Sequence, residues 1–151
     1  MKKITPFLWF DYQAEDAMNF YISIFKNSQI LDVSRAPDGK LFTASFQLDG
    51  QEFMALNAGP LFPFTEAISL YVNCENQAEV DELWDKLSAG GEESQCGWLK
   101  DKFGLSWQII PAILPKLLGD PDPQKAKRAM DAMLQMHKID IAALEKAYAQ
   151  N

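Results

Sequence analysis

The feature that most constrains this chain is a helical hydrophobic period that occurs twice. Ala17, Phe20, Tyr21 and Ile24 follow the i, i+3, i+4, i+7 spacing of one helix face. Val80, Leu83, Trp84 and Leu87 repeat that spacing 63 positions later (17 to 80). A strand-like run precedes each set, Ile4 to Phe10 in the first and Ala67 to Asn73 in the second. Each half closes on a hairpin whose turn contains Asp and Gly, at Asp49-Gly50 and at Asp101 to Gly104. A period of this kind implies two copies of one β-α-β-β-β unit.

The segments between these markers fill in the first unit. A helix is expected from about Ala14 to Phe25, ended by Asn27-Ser28. Strands follow over Gln29 to Arg35, Leu41 to Leu48 and Gln51 to Asn57, with a turn at Pro37-Asp38-Gly39. Alternation places Phe42, Ala44, Phe46 and Leu48 on one face. In the second unit Gly90-Gly91 closes the helix, and the strand around Glu92 to Gln95 is short or irregular. Beyond Pro111 the pattern turns helical. Ile113 to Leu118 forms a short turn, and Asp122-Pro123 is an N-cap followed by a first-turn proline. The helix it opens runs to about His137, with Ala126, Met130, Met133, Leu134 and His137 on one face. Asp140 caps a last helix through Tyr148. The reading is one domain over residues 1–151. Module one covers 4–58, a linker 59–65, module two 66–111 and a helical tail 112–151.

Composition removes several function classes. The net charge is −7, from 21 acids against 14 bases, so a phosphate backbone or an anionic membrane surface is not an expected partner. No apolar run approaches the roughly 20 residues that span a bilayer. The opening MKKITPFLWFD carries two lysines and an apolar run, but Asp11 follows at once without a small-residue cleavage site. It reads as the first strand, and the protein as cytoplasmic. With one histidine, His137, and two cysteines, Cys74 and Cys96, a multi-histidine or four-cysteine zinc cage is excluded. A Cys74–Cys96 disulfide is not called for in a reducing compartment.

Four stretches carry a family resemblance: PFLWFD with AMNFY at Pro6 to Tyr21, LDGQEFMALN at Leu48 to Asn57, GWLKDKFGLSWQIIP at Gly97 to Pro111, and DPDPQKAKRAMDAMLQMHKIDIAALE in the tail. Together they resemble the PhnB-like branch of the vicinal oxygen chelate superfamily, often labelled 3-demethylubiquinone-9 3-methyltransferase-like. The resemblance covers nearly the whole chain. It implies an α+β fold in which two βαβββ modules form a curved mixed sheet around a cup. Helices lie outside, and a homodimer usually completes the assembly.

In metal-dependent relatives the cup holds one divalent ion. The corresponding positions here are Thr5, Met54, Ala67 (or Glu66 with a one-residue slip) and Gln108. Threonine and methionine are poor donors for the hard ions of that chemistry. The expectation is therefore a protein without a metal or other cofactor, binding an apolar or aromatic small molecule. Its site would be lined by Thr5, Phe7, Trp9, Met54, Ser69, Tyr71 and Gln108. The alternative is a metal-dependent lyase, isomerase or dioxygenase with a rearranged set drawn from Glu66, Glu52 and Gln108. The methyltransferase label finds no glycine-rich G-x-G-x-x-G turn in this sequence.

Spacing implies a register for the last hairpin as well. A four-residue turn at Asp101 to Gly104 pairs Trp98 with Trp107 and sets Gly97 opposite Gln108. Both tryptophans then face the helix, with Cys96, Leu105 and Ile109.

Overall fold

The structure is a computed structural model and describes residues 2–150. The chain divides into two compact units, residues 1–64 and 65–151.

The first unit contains β1 (Phe7–Phe10), α1 (Ala14–Ile24), β2 (Gln29–Arg35), β3 (Leu41–Leu48) and β4 (Gln51–Asn57). Its sheet has the order β1-β4-β3-β2, with β1 parallel to β4 and the other pairs antiparallel. Leu8, Phe10, Ala44, Phe46, Leu48, Phe53 and Ala55 are buried, as are Ala17, Met18 and Tyr21 of α1. Each large apolar side chain of this set contributes about 1.5–3 kcal/mol by leaving water. The expected helix face is present, with Phe20 and Ile24 at its half-buried margin. No side chain of the preceding loop caps α1. Instead Asn57, at the end of β4, accepts a hydrogen bond from the Ala14 amide at 2.8 Å.

Two expectations for this unit are corrected. The first strand starts at Phe7 rather than Ile4, and Ile4 is 85% exposed. Pro6 has no amide to give to a ladder, and only its carbonyl pairs, with Met54 N. Phe42 does not share the buried face of Ala44, Phe46 and Leu48; Leu41 is buried in its place. A bulge lies between the pairs Ser34–Thr43 and Arg35–Leu41, and it turns Phe42 outward.

The second unit repeats the topology. It contains β5 (Ser69–Cys74), α2 (Gln77–Ser88), β6 (Glu92–Glu93), β7 (Trp98–Lys100) and β8 (Ser106–Pro111), in the order β5-β8-β7-β6. As in the first unit, the strand before the helix runs parallel to the last strand. Val80, Leu83, Trp84 and Leu87 of α2 are all buried, and Asn76 caps the helix by accepting from the Glu79 amide. The irregular strand expected near residue 92 is a two-residue β6.

The tail forms α3 (Ile113–Leu118), α4 (Pro123–Met133) and α5 (Ile141–Ala149). Asp122 and Asp140 cap α4 and α5 as the sequence suggested. The α4 face is corrected. Ala129 is its buried residue, while Met130 and Leu134 are exposed, so the expected stripe lies partly in solvent. The helix stops at Met133, and the chain beyond it runs against module two. Met136 and His137 carbonyls accept from the Cys96 and Gly97 amides, and His137 Nδ1 donates to Ser94 O at 2.8 Å. His137 is thus tied to a loop and does not end a helix. Among the described residues no helix is long and apolar enough to cross a membrane. The fold is α+β, two βαβββ modules with a helical tail.

Candidate functional site

In each unit one sheet face packs on its helix and the other is open. On the open face of the first sheet, register sets side chains in rows. Phe7 aligns with Met54, which aligns with Ser45 and then Asp32. Trp9 aligns with Leu56 and Thr43. Phe7 is 51% exposed although it is a large apolar residue beside a thioether. Trp9 is half-buried and fixed, since its indole donates to Gly59 O at 3.0 Å and Phe62 packs edge-on to its ring. Thr5 lies ahead of the strand, where its hydroxyl makes a long 3.4 Å contact to Lys2 O. The predicted module-one residues therefore divide. Phe7, Met54 and Trp9 share one face, and Thr5 stands outside the ladder.

On the open face of the second sheet, Tyr71 aligns with Gln108 and Gln108 with Trp98. In the next row Ser69 aligns with Ser106, then Lys100, then Glu92. The Gln108 side-chain amide donates to Ser69 Oγ at 2.9 Å, which fixes its orientation. Tyr71 is 52% exposed. Burial raises its phenol pKa, with a smaller effect from Cys74, so it stays a neutral donor. Ser69, Tyr71 and Gln108 are brought together as predicted.

The register of the last hairpin is corrected. Trp98 pairs with Gln108, and it is Leu99 that pairs with Trp107. The loop runs from Asp101 to Leu105 and is one residue longer than expected, because Asp101 N donates to Leu105 O and Ser106 pairs with Lys100. A one-residue change in register moves every β7 side chain to the other face. Trp98 and Lys100 thus join the open face, and Leu99 goes to the core.

The cause is Asp101, which is only 2% exposed. Its carboxylate accepts from Phe103 N at 2.8 Å, Leu105 N at 3.1 Å and the Trp107 indole at 2.9 Å. Gln108 consequently lies between two aromatic residues and not beside a glycine. Gly97 sits at φ +84°, where an added Cβ would meet Ile110 Cδ1 at 2.7 Å. Cys96, expected as a buried partner of the tryptophans, is half-buried at φ +60° in the segment held by Met136. Both cysteines are free, and burial pushes the Cys74 thiol up to about 12.

Whether these residues fit a divalent ion can be judged donor by donor. Met54 offers only a soft thioether, between Phe7 and Ser45. Gln108 points its amide nitrogen at Ser69. Glu66 is ion-paired with Lys100, which holds its carboxyl below the usual range. Glu52 sits in a row with Gln47, a neutral amide. Among the described residues no group of three or more His, Cys, Asp or Glu could hold a metal ion. The donor set does not fit the ion that metal-dependent relatives carry.

Sequence reasoning missed Trp98 and Lys100 as open-face residues. The available signal was Asp101 three residues before Gly104, a spacing that suits a carboxylate capping its own loop.

Comparison with known proteins agrees with the topology. Residues 2–110 match the family described as 3-demethylubiquinone-9 3-methyltransferase. A PhnB protein from Bacillus cereus is 41% identical, with a TM-score of 0.70 over 74% of this chain and 100% of that one. A Pseudomonas aeruginosa protein is 19% identical at TM-score 0.61, covering 74% of this chain and 98% of that one. The fosfomycin resistance protein FosX of Listeria monocytogenes is 17% identical at TM-score 0.60, covering 79% and 98%, and shares the fold. Nothing among the curated proteins matches. With the repeated module, the sheet order and the match over most of its length, the chain belongs to the PhnB-like, 3-demethylubiquinone-9 3-methyltransferase-like family.

Proposed function

We propose that this protein binds a small apolar or aromatic molecule on its open sheet faces and does so without a metal ion. The observation that carries this reading is the pairing of exposed aromatic residues with fixed polar groups. Phe7 and Tyr71 are each about half exposed on regular strands, where water contact is unfavourable for them. Met54 lies beside Phe7, and the oriented Gln108–Ser69 pair lies beside Tyr71. An apolar surface with a few fixed hydrogen-bonding groups is how small-molecule sites are built. Thr5 and Trp9 complete the proposed lining. We place the protein in the cytoplasm as a homodimer. The dimer is supported by β2, an edge strand that leaves Ile30 and Leu31 exposed.

Calorimetric titration of protein dialysed against chelator, with indole as the probe, tests this reading. Saturable heat that is weakened in Tyr71→Ala and Gln108→Ala is the expected result. No saturable binding, or binding that appears only after Mn(II) is added, overturns it in favour of a metal-dependent enzyme using Glu66, Glu52 and Gln108.

A further inference from the structure

A second polar feature lies at the other end of the same module-two face. A hollow of about 140 Å³ is walled by Glu66, Glu92, Glu93, Trp98, Lys100 and Ser106. Ser106 is 1% exposed, and its hydroxyl has no hydrogen-bond partner among the described residues. A buried hydroxyl left unpaired is costly, and a native protein rarely keeps one without a use.

The charges around it are unbalanced. Glu66 and Glu92 stand beside one ammonium, and that ammonium, Lys100, is already paired with Glu66, while Glu93 turns to the helix side of the sheet. Glu93 accepts from the Trp84 indole at 2.6 Å. Glu92 aligns with Lys100 at the end of the row that starts at Ser69. An anion entering here would meet net negative charge. An apolar group would leave the Ser106 hydroxyl unpaired.

We propose that this hollow binds a small primary ammonium group. The Ser106 oxygen and the Glu92 carboxylate accept its N–H bonds, and the Trp98 ring packs against its carbon stem, an arrangement that aromatic faces favour for cations. The volume suits roughly four or five non-hydrogen atoms, judged from the space one water molecule occupies. The ligand class is therefore a short alkylammonium or amino alcohol. The site uses none of the residues that carry the indole-binding proposal, so the two stand or fall separately.

Amide and indole shift mapping of the intact chain, titrated with methylammonium chloride, tests it. Sodium chloride and sodium acetate at matched ionic strength are the controls. Saturable shifts at Glu92, Ser106 and the Trp98 indole are expected with methylammonium alone. Loss of one acceptor in Ser106→Ala or in the surface variant Glu92→Gln should weaken the affinity about tenfold. Gln108→Ala should leave it unchanged. No saturable response, the same response to sodium chloride, or acetate binding in place of methylammonium overturns the proposal. Unaltered affinity in both Ser106→Ala and Glu92→Gln overturns it as well.

Discussion

The two modules share one topology and differ in what their open faces and their closing hairpins are made of. The first sheet shows Phe7, Trp9, Met54 and Leu56 along β1 and β4, an apolar strip that gives way to Thr43, Ser45 and Asp32 on β3 and β2. The second shows Ser69, Tyr71, Trp98, Lys100, Ser106 and Gln108, a surface rich in donors and acceptors. The first hairpin closes with two residues, Asp49 and Gly50, at φ 48° and 80°, as a tight turn requires. The second closes through a loop tied to one buried carboxylate. Duplicated architecture thus sets where strands lie, and loop length then decides which side chains reach the open face.

The largest expected effect breaks the second hairpin at its base. Gly97→Ala forces a side chain into Ile110 and Ile139 at positive φ and should cost about 3 kcal/mol. Gly50→Ala, also at positive φ but with only Asn27 at 3.5 Å, should cost about 1 kcal/mol. Urea denaturation of both variants measures the difference, and equal losses would remove the contrast between the hairpins.

Next comes Asp101→Ala, which leaves two amides and an indole without their buried acceptor. It should destabilise by about 2–3 kcal/mol. It should also loosen the register, so amide exchange should rise in β7 and β8 while β3 and β4 stay protected. Uniform protection in all four strands would show that the loop does not hold the register.

A smaller effect is pH-dependent and belongs to module two. The Cys74 thiol is raised from an ordinary value of 9.0 to about 12 by burial, chiefly, and by Glu79. Below pH 9 the thiol is neutral in both folded and unfolded chains, and its stabilising contribution is complete. Between about 9 and 12 the unfolded chain loses the proton first, so stability falls as pH rises. Cys74→Ala should flatten that part of the stability curve measured by denaturation at stepped alkaline pH. A slope unchanged by the substitution would assign it to other groups.

The smallest expected stability effect is at the open faces. Phe7→Ala and Tyr71→Ala remove exposed side chains and should change stability by no more than about 0.5 kcal/mol. Thermal melts of the two variants check this, and a large loss in either would show that the ring supports the fold rather than a ligand.

Much of the fold was legible because helix period and strand alternation are local signals. The α2 face of Val80, Leu83, Trp84 and Leu87 and the caps Asp122 and Asp140 needed no knowledge of distant contacts. Apart from the start of β1, set locally by Pro6, the errors came from non-local causes. Phe42 was misplaced because a bulge depends on how β2 and β3 pair. Trp98 was misplaced because the loop length follows from where the Asp101 carboxylate is buried. The α4 stripe was misplaced because α3 and α5 choose its buried side, and Leu114, Ala129, Ile139 and Leu144 form that core. The grouping of Ser69, Tyr71 and Gln108 was readable from alternation alone, whereas Trp98 and Lys100 depended on the register.

The proposal that the open face of each sheet binds an apolar or aromatic molecule is tested most directly by shift mapping with indole. Saturable shifts at Phe7, Met54, Tyr71 and Gln108 in chelator-treated protein, with α4 and α5 unmoved, are the predicted result. Shifts confined to the helical tail, or none at any concentration, would contradict it.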